Sequence, residues 1–250
     1  MCDRSHPEKV AIVTTSWDDG HPLDLRLAQL LASHGILGTF YMALRYNNFP
    51  RMSKEQMRII RQMGMEIGSH TLTHPILTKL DQSELLRELH ESKTILEDML
   101  RESIVSLCYP KGKFNRRVCL ATAEAGYQLA RTTVAFRPEI HFDPFRMPVS
   151  FQFFPHTCMV HVCHALKRGN LKGITNWCRF WRAERDLPRL ATFSVEYILK
   201  HGGIMHLWGH SWEVEKYGLW DLLEEVLRRI AHRPGVLYLT NSQVLNVISQ

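Results

Sequence analysis

Short apolar runs alternate with longer stretches of helical periodicity along nearly the whole chain, and few folds accommodate such a pattern. The short runs cover residues 10–15, 36–42, 65–67, 104–109, 127–132, 149–154, 204–208 and 236–239, and each reads as a buried strand. Helical patterns cover 23–33, 53–63, 81–101, 116–125, 219–231 and 241–248, with Ser53 and Asp81 at cap positions and Gly35 and Gly126 as stops. Residues 156–200 are mostly helical without clear divisions. Parallel neighbours require crossovers long enough to hold a helix, so the alternation predicts an α/β protein with a mainly parallel sheet. Closure of that sheet into a barrel does not follow from periodicity.

At 250 residues the chain suits one α/β barrel domain spanning residues 1–250, and no linker, repeat or low-complexity tract divides it. Hydrophobic residues make up 45%, enough for a sizeable core, which excludes a disordered chain. The net charge of +6 comes without any run of five or six basic residues or aromatic-interleaved patch, so it reads as a solvated surface and no nucleic-acid partner is expected. Residues 1–9 are polar and lack the apolar core of a secretion signal, and the run at 10–13 is too short to span a membrane. A cytoplasmic protein is therefore expected, and the six cysteines, without a CxxC pair, read as free thiols.

Three segments carry chemistry. Ser16-Trp17-Asp18-Asp19-Gly20 places adjacent carboxylates where the first strand ends, the edge at which barrel active sites gather. Neighbouring like charges repel, so a cation or a shared proton should stabilise them; a plain Asp-Gly turn is the alternative. Ser69-His70-Thr71-Leu72-Thr73-His74-Pro75 sets two histidines four apart, which on one helical turn face the same way and suit chelation. In Gly202-Gly203-Ile204-Met205-His206-Leu207-Trp208-Gly209-His210-Ser211-Trp212-Glu213, strand alternation puts His206, Trp208 and His210 on one face. His210 at the strand edge is the better placed for acid–base work, and His206 reads as a packed core residue.

Together these segments resemble the polysaccharide deacetylase family, also called the NodB-homology domain or carbohydrate esterase family four. Residues 16–20 match its first motif, usually Thr-Phe-Asp-Asp-Gly, and Gly38-Thr39-Phe40-Tyr41 is similar to its neighbouring strand. Residues 69–74 match the second motif, His-Ser/Thr-x-x-His. Leu107-Cys108-Tyr109-Pro110-Lys111-Gly112-Lys113-Phe114-Asn115 resembles a variant third motif, and His210-Ser211-Trp212-Glu213 the last. The resemblance spans residues 10–247.

The resemblance implies a distorted (β/α) barrel of about seven parallel strands, with one divalent metal at its carboxyl end, zinc or alternatively cobalt, nickel or manganese. It implies Asp19, His70 and His74 as ligands, Asp18 as general base and His210 as the acid for the leaving amine. Tyr109, Pro110, Gly112, Trp208 and Trp212 would line the substrate site. Such a site suits hydrolysis of an amide, whose carbonyl needs polarising and whose nitrogen leaves only when protonated.

The chain departs from the pattern in two places. Cys108 stands where the third motif often has an arginine that orients the catalytic aspartate, and the Asp-x-x-Asp-Trp type segment has no match. Arg131 or Arg146 could supply the cation, or either could serve as a structural salt-bridge partner. His156, His161 and His164, lying among Cys158 and Cys163, do not form a recognised ligand set. His21 could line the site's mouth or occupy a polar loop, and Phe40 and Tyr41 read as packing residues. The expected activity is removal of an acyl group, notably acetyl, from an amino sugar or sugar conjugate, with a small-molecule or oligosaccharide substrate. The alternatives are a cyclic amide or ureide hydrolase of the same superfamily, or an inactive carbohydrate-binding relative.

Overall fold

The computed structural model describes residues 9–46 and 50–248. The polar start read above, including Cys2, lies almost wholly outside the described residues. In chain order the elements are β1 (Ala11–Trp17), α1 (Asp24–Ser33), β2 (Gly38–Met42), α2 (Lys54–Gln62), β3 (Glu66–Ser69), α3 (Gln82–Leu100), β4 (Ser106–Cys108), α4 (Arg116–Glu124) and β5 (Leu129–Arg131). Then follow β6 (Phe151–Gln152), α5 (Cys158–Lys167), α6 (Leu171–Phe180), α7 (Leu187–His201), β7 (Gly203–Gly209), α8 (Ser211–Lys216), α9 (Trp220–Ile230), β8 (Val236–Tyr238) and α10 (Asn241–Ile248). The undivided helical stretch thus resolves into α5, α6 and most of α7. Sequence reading missed only the short α8.

Every strand pairing is parallel, in the order β5-β4-β3-β2-β1-β7-β6. β1 shares its second edge, pairing β8 along residues 11–13 and β2 along residues 15–17. One bridge between Arg131 and Met147 joins β5 to the stretch leading into β6. This closes the seven-strand path into a distorted barrel, as expected.

Side-chain alternation sorts each strand into two cores. Ala11, Val13 and Trp17 face the helices and join the large apolar cluster. Ile12 points inward with Leu129, Met147, Ile204 and Val244, forming a small apolar floor. Above that floor the interior is polar but hydrogen-bonded, as buried polar groups must be. Asn241, at the start of α10, accepts from Thr14 at 2.9 Å and donates to the Tyr41 hydroxyl at 2.9 Å. Ser16 meets His206 Nε2 at 2.8 Å. Gly68 makes room for this packing, since a Cβ there would lie 2.5 Å from the Tyr41 ring.

The predicted caps form. Ser53 and Asp81 each make a capping box, with Gln56 and Glu84 respectively; a further cap, not read from the sequence, is Asn115, which accepts from the Val118 amide. No described helix is long and apolar enough to cross a membrane.

Candidate active site

The carboxyl ends of β1, β3, β4, β5 and β7 meet around one cavity of about 470 Å³. Asp18, Asp19, His70, His74, Trp208, His210, Trp212 and Gly112 line it. Loop residues there that adopt left-handed backbone include Asp19 at φ 82°, Thr71 at φ 69° and His74 at φ 60°. Non-glycine residues rarely hold such angles, and the surrounding hydrogen bonds impose them.

The expectation of a helical turn for the histidine pair does not hold. Residues 70–74 form a loop, and its left-handed residues rather than helical spacing bring the two rings together, 4.6 Å between centroids. The loop is pinned by Glu88 of α3, a buried carboxylate. It accepts from the Leu72 and Thr73 amides, both at 2.9 Å, and from the Thr73 hydroxyl at 2.6 Å. Sequence reasoning missed Glu88. Its signal was a charged residue on the buried stripe of α3, beside Leu85 and Leu89.

Asp19 Oδ1 lies 3.7 Å from His70 Nε2 and 3.6 Å from His74 Nε2. It is buried and has no hydrogen-bond partner among the described residues, while Oδ2 accepts from Trp212 Nε1 at 3.0 Å. His70 is oriented by its Nδ1, 2.8 Å from the Cys108 carbonyl. Burial depresses both imidazoles to about 4, so each presents a neutral ring. Ligand atoms around a tetrahedral zinc stand about 3.4 Å apart at bond lengths near 2.1 Å. The donor set, its orphaned oxygen and its spacing therefore fit a divalent cation.

Asp18 occupies a different environment. Burial alone would raise its carboxyl, but the Arg131 guanidinium, then His70 and His210, hold it at about 2. Arg131 is fully buried and donates Nη2 to Asp18 Oδ1. Cys108 Sγ lies 3.6 Å from Oδ2, its thiol kept protonated chiefly by burial. Cys108 and Arg131 are register partners across β4 and β5. A cation on the adjacent strand thus reaches the carboxylate that Cys108 itself cannot neutralise.

His210 caps α8 and lines the cavity, its Nδ1 2.6 Å from Glu213 Oε2. Burial would lower its pKa, but that hydrogen bond and the charges of Asp18 and Asp19 raise it above the ordinary histidine value. His206 lies beneath the cavity, bonded to Ser16 and 3.1 Å from the Pro148 carbonyl, and burial holds it neutral at about 3.

Several predicted residues fall elsewhere. Arg146 is half-exposed, pairs with Asp143 at 3.4 Å and does not line the cavity. Tyr109 is buried with its hydroxyl donated to the Phe145 carbonyl at 3.0 Å. Neither it nor Pro110 lines the cavity; of that motif Gly112 does, with its neighbours Lys111 and Lys113. His21 Nδ1 accepts from the Leu23 amide and is absent from the lining. His156, His161 and His164 do line the cavity, but form no metal-ligand cluster among the described residues.

A parallel β/α barrel with a carboxylate and two imidazoles converging beside a second, ionised carboxylate defines a hydrolase-type site. The chain belongs to the polysaccharide deacetylase family, whose profile matches residues 4–130. It is 29% identical over 133 residues to YxkH of Bacillus subtilis (strain 168), designated a polysaccharide deacetylase, covering 52% of this chain and 47% of that protein. The chain thus spans about half the length of YxkH. It is 22% identical over 200 residues to a peptidoglycan-N-acetylglucosamine deacetylase of Bacillus cereus, covering 78% of this chain and 68% of that one. Among solved structures, a Mycobacterium smegmatis protein designated a polysaccharide deacetylase superposes with a TM-score of 0.66 at 18% identity, covering 98% of this chain and 92% of that chain.

Proposed function

We propose that this protein is a metal-dependent hydrolase that removes an acyl group, acetyl in the first instance, from an amide nitrogen of an amino sugar or sugar conjugate. The observation that carries the reading is the orphaned, buried Asp19 Oδ1 facing two neutral imidazole nitrogens at 3.6–3.7 Å, beside a carboxylate kept ionised by an arginine.

Asp19, His70 and His74 would hold the cation, which supplies Lewis-acid polarisation of the amide carbonyl and acidifies water. Asp18 accepts the proton of the attacking water through Oδ2, which among the described residues carries only the weak thiol contact. Arg131 fixes that carboxylate and keeps it charged, at the cost of some basicity. His210, protonated and braced by Glu213, delivers a proton to the departing amine nitrogen. Trp208 and Trp212 offer ring faces at the rim.

The reading is tested by elemental analysis of purified protein and by acetate release from acetylated amino sugars, with cyclic ureides as controls. One equivalent of metal with acetate release is the expected result. Ureide ring opening without acetate release would favour the cyclic-amide alternative, and sugar binding without turnover the inactive relative. In His70→Ala and His74→Ala the metal should be lost, and normal metal content in both would remove them from the ligand set.

A further inference from the structure

The cavity above Asp18 carries a second group of side chains that the proposed reaction does not use. Lys111, Lys113, Lys167 and Arg168 line it, together with Thr133. Several cations elsewhere on the surface are paired, as Arg26 with Glu215, Arg61 with Glu102 and Arg228 with Glu224. Among the described residues none of these four has a carboxylate within ion-pair distance. The carboxylates of the lining, Asp18 and Asp19, are already engaged by Arg131 and the imidazoles.

Arg168 is half-buried, and its Nη1 donates to the Gly112 carbonyl at 3.1 Å. A Cβ on Gly112 would lie 2.2 Å from Thr133 Oγ1 and 2.8 Å from Arg168 Nη2, so both polar groups converge on that glycine. Thr133 Oγ1 is itself buried without a hydrogen-bond partner among the described residues. Burial and the nearby charge of Arg131 hold the Arg168 guanidinium below its ordinary value. His164 lines the same cavity as Arg168, Lys167 and Lys113, and burial, then the charges of those three, lower its pKa. A desolvated cation and an unsatisfied hydroxyl at the same place are costly unless an anion completes them.

We propose that the substrate carries an oxyanion, a phosphate ester or a carboxylate, seated between Arg168, Lys113, Lys167 and the Thr133 hydroxyl while its amide lies over Asp18 and Asp19. The inference rests on the deacylase reading and narrows its substrate to acidic amino sugars. The cavity of about 470 Å³ lies within the usual small-ligand range of roughly 300–1,000 Å³.

The test measures acetate release by the metal-loaded protein from neutral N-acetylglucosamine, N-acetylglucosamine 1-phosphate and N-acetylmuramic acid. At least one acidic sugar should exceed the neutral one tenfold or more in kcat/KM, the phosphate and carboxylate arms telling the two oxyanions apart. That ratio should fall towards unity in Arg168→Gln and with rising potassium chloride. Lys113→Met/Lys167→Met changes only exposed positions, so it should lower the ratio without loss of folding. Equal kcat/KM for neutral and acidic sugars would overturn the inference and leave the deacylase reading intact. If no sugar is turned over, calorimetry with both N-acetylglucosamine 1-phosphate and N-acetylmuramic acid decides the inference by itself. Salt-sensitive binding weakened by Arg168→Gln sustains it, and absence of binding overturns it.

Discussion

Replacing Arg131 by Met tests whether the buried pair with Asp18 is what keeps that carboxylate charged. Arg131 is fully buried, and Asp18 sits at about 2 rather than its ordinary 3.8. That difference of nearly two units corresponds to about 2–3 kcal/mol at roughly 1.4 kcal/mol per unit. The sign follows from the lowered value: the contribution is present above the unfolded pKa and is lost as pH falls from about 4 to about 2. Removing Arg131 leaves an uncompensated buried charge, a loss of about 3–5 kcal/mol at neutral pH. For a chain of this size that is a fall of roughly 6–20 °C in Tm. Thermal unfolding of chelator-treated protein measures it free of any metal contribution. Asp18→Asn in the Arg131→Met background removes the stranded charge and should restore most of the loss. A double variant as unstable as the sum of the two singles would refute the pairing argument. In the metal-loaded enzyme, Arg131→Met should also move the acidic limb of kcat/KM to higher pH, because burial then raises Asp18 against less opposition. An unmoved limb would separate Arg131 from the base.

Further outcomes follow from the same geometry. Asp18→Asn should retain metal by elemental analysis yet lose about 10²–10⁴ in kcat, and full turnover would end its role as base. His210→Ala should lose a similar factor in kcat, whereas His206→Ala should lower stability by about 1–3 kcal/mol through its hydrogen bonds with less effect on turnover; the reverse ranking would reassign the acid. Since His210 titrates above the ordinary histidine value and acts protonated, activity should decline as pH rises through that raised value, and Glu213→Gln should bring the decline to lower pH. Glu88→Ala frees the histidine loop and should weaken metal affinity about 10–100-fold by competition titration, although Glu88 ligates nothing; unchanged affinity would show that the loop holds its shape without it.

Much of the site was legible because the chemistry is local. Asp18 and Asp19 adjoin at a strand end, and His70 and His74 belong to one short segment. What joins those segments is not local. His70 reaches Asp19 only because β3 and β1 flank β2 in parallel register, and the left-handed residues at 19, 71 and 74 turn the side chains inward. The helical turn expected at residues 70–74 failed because spacing cannot report backbone sign. Tyr109 failed differently: its motif position suggested the substrate side, while its packing against Phe114 places it in the core.

By itself the sequence determined the layered α/β class, the boundaries of most elements and the residue types that gather at the carboxyl edge, since periodicity, caps and motifs are written along the chain. Only the tertiary structure decided which arginine partners Asp18. Cys108 breaks the familiar pattern in its own strand, yet strand pairing sets Arg131 opposite it, and electrostatics depends on distance through space rather than separation along the backbone. The same reason hid Glu88 beneath the histidine loop and the unpaired cations around Thr133: each takes its meaning from neighbours that folding alone supplies.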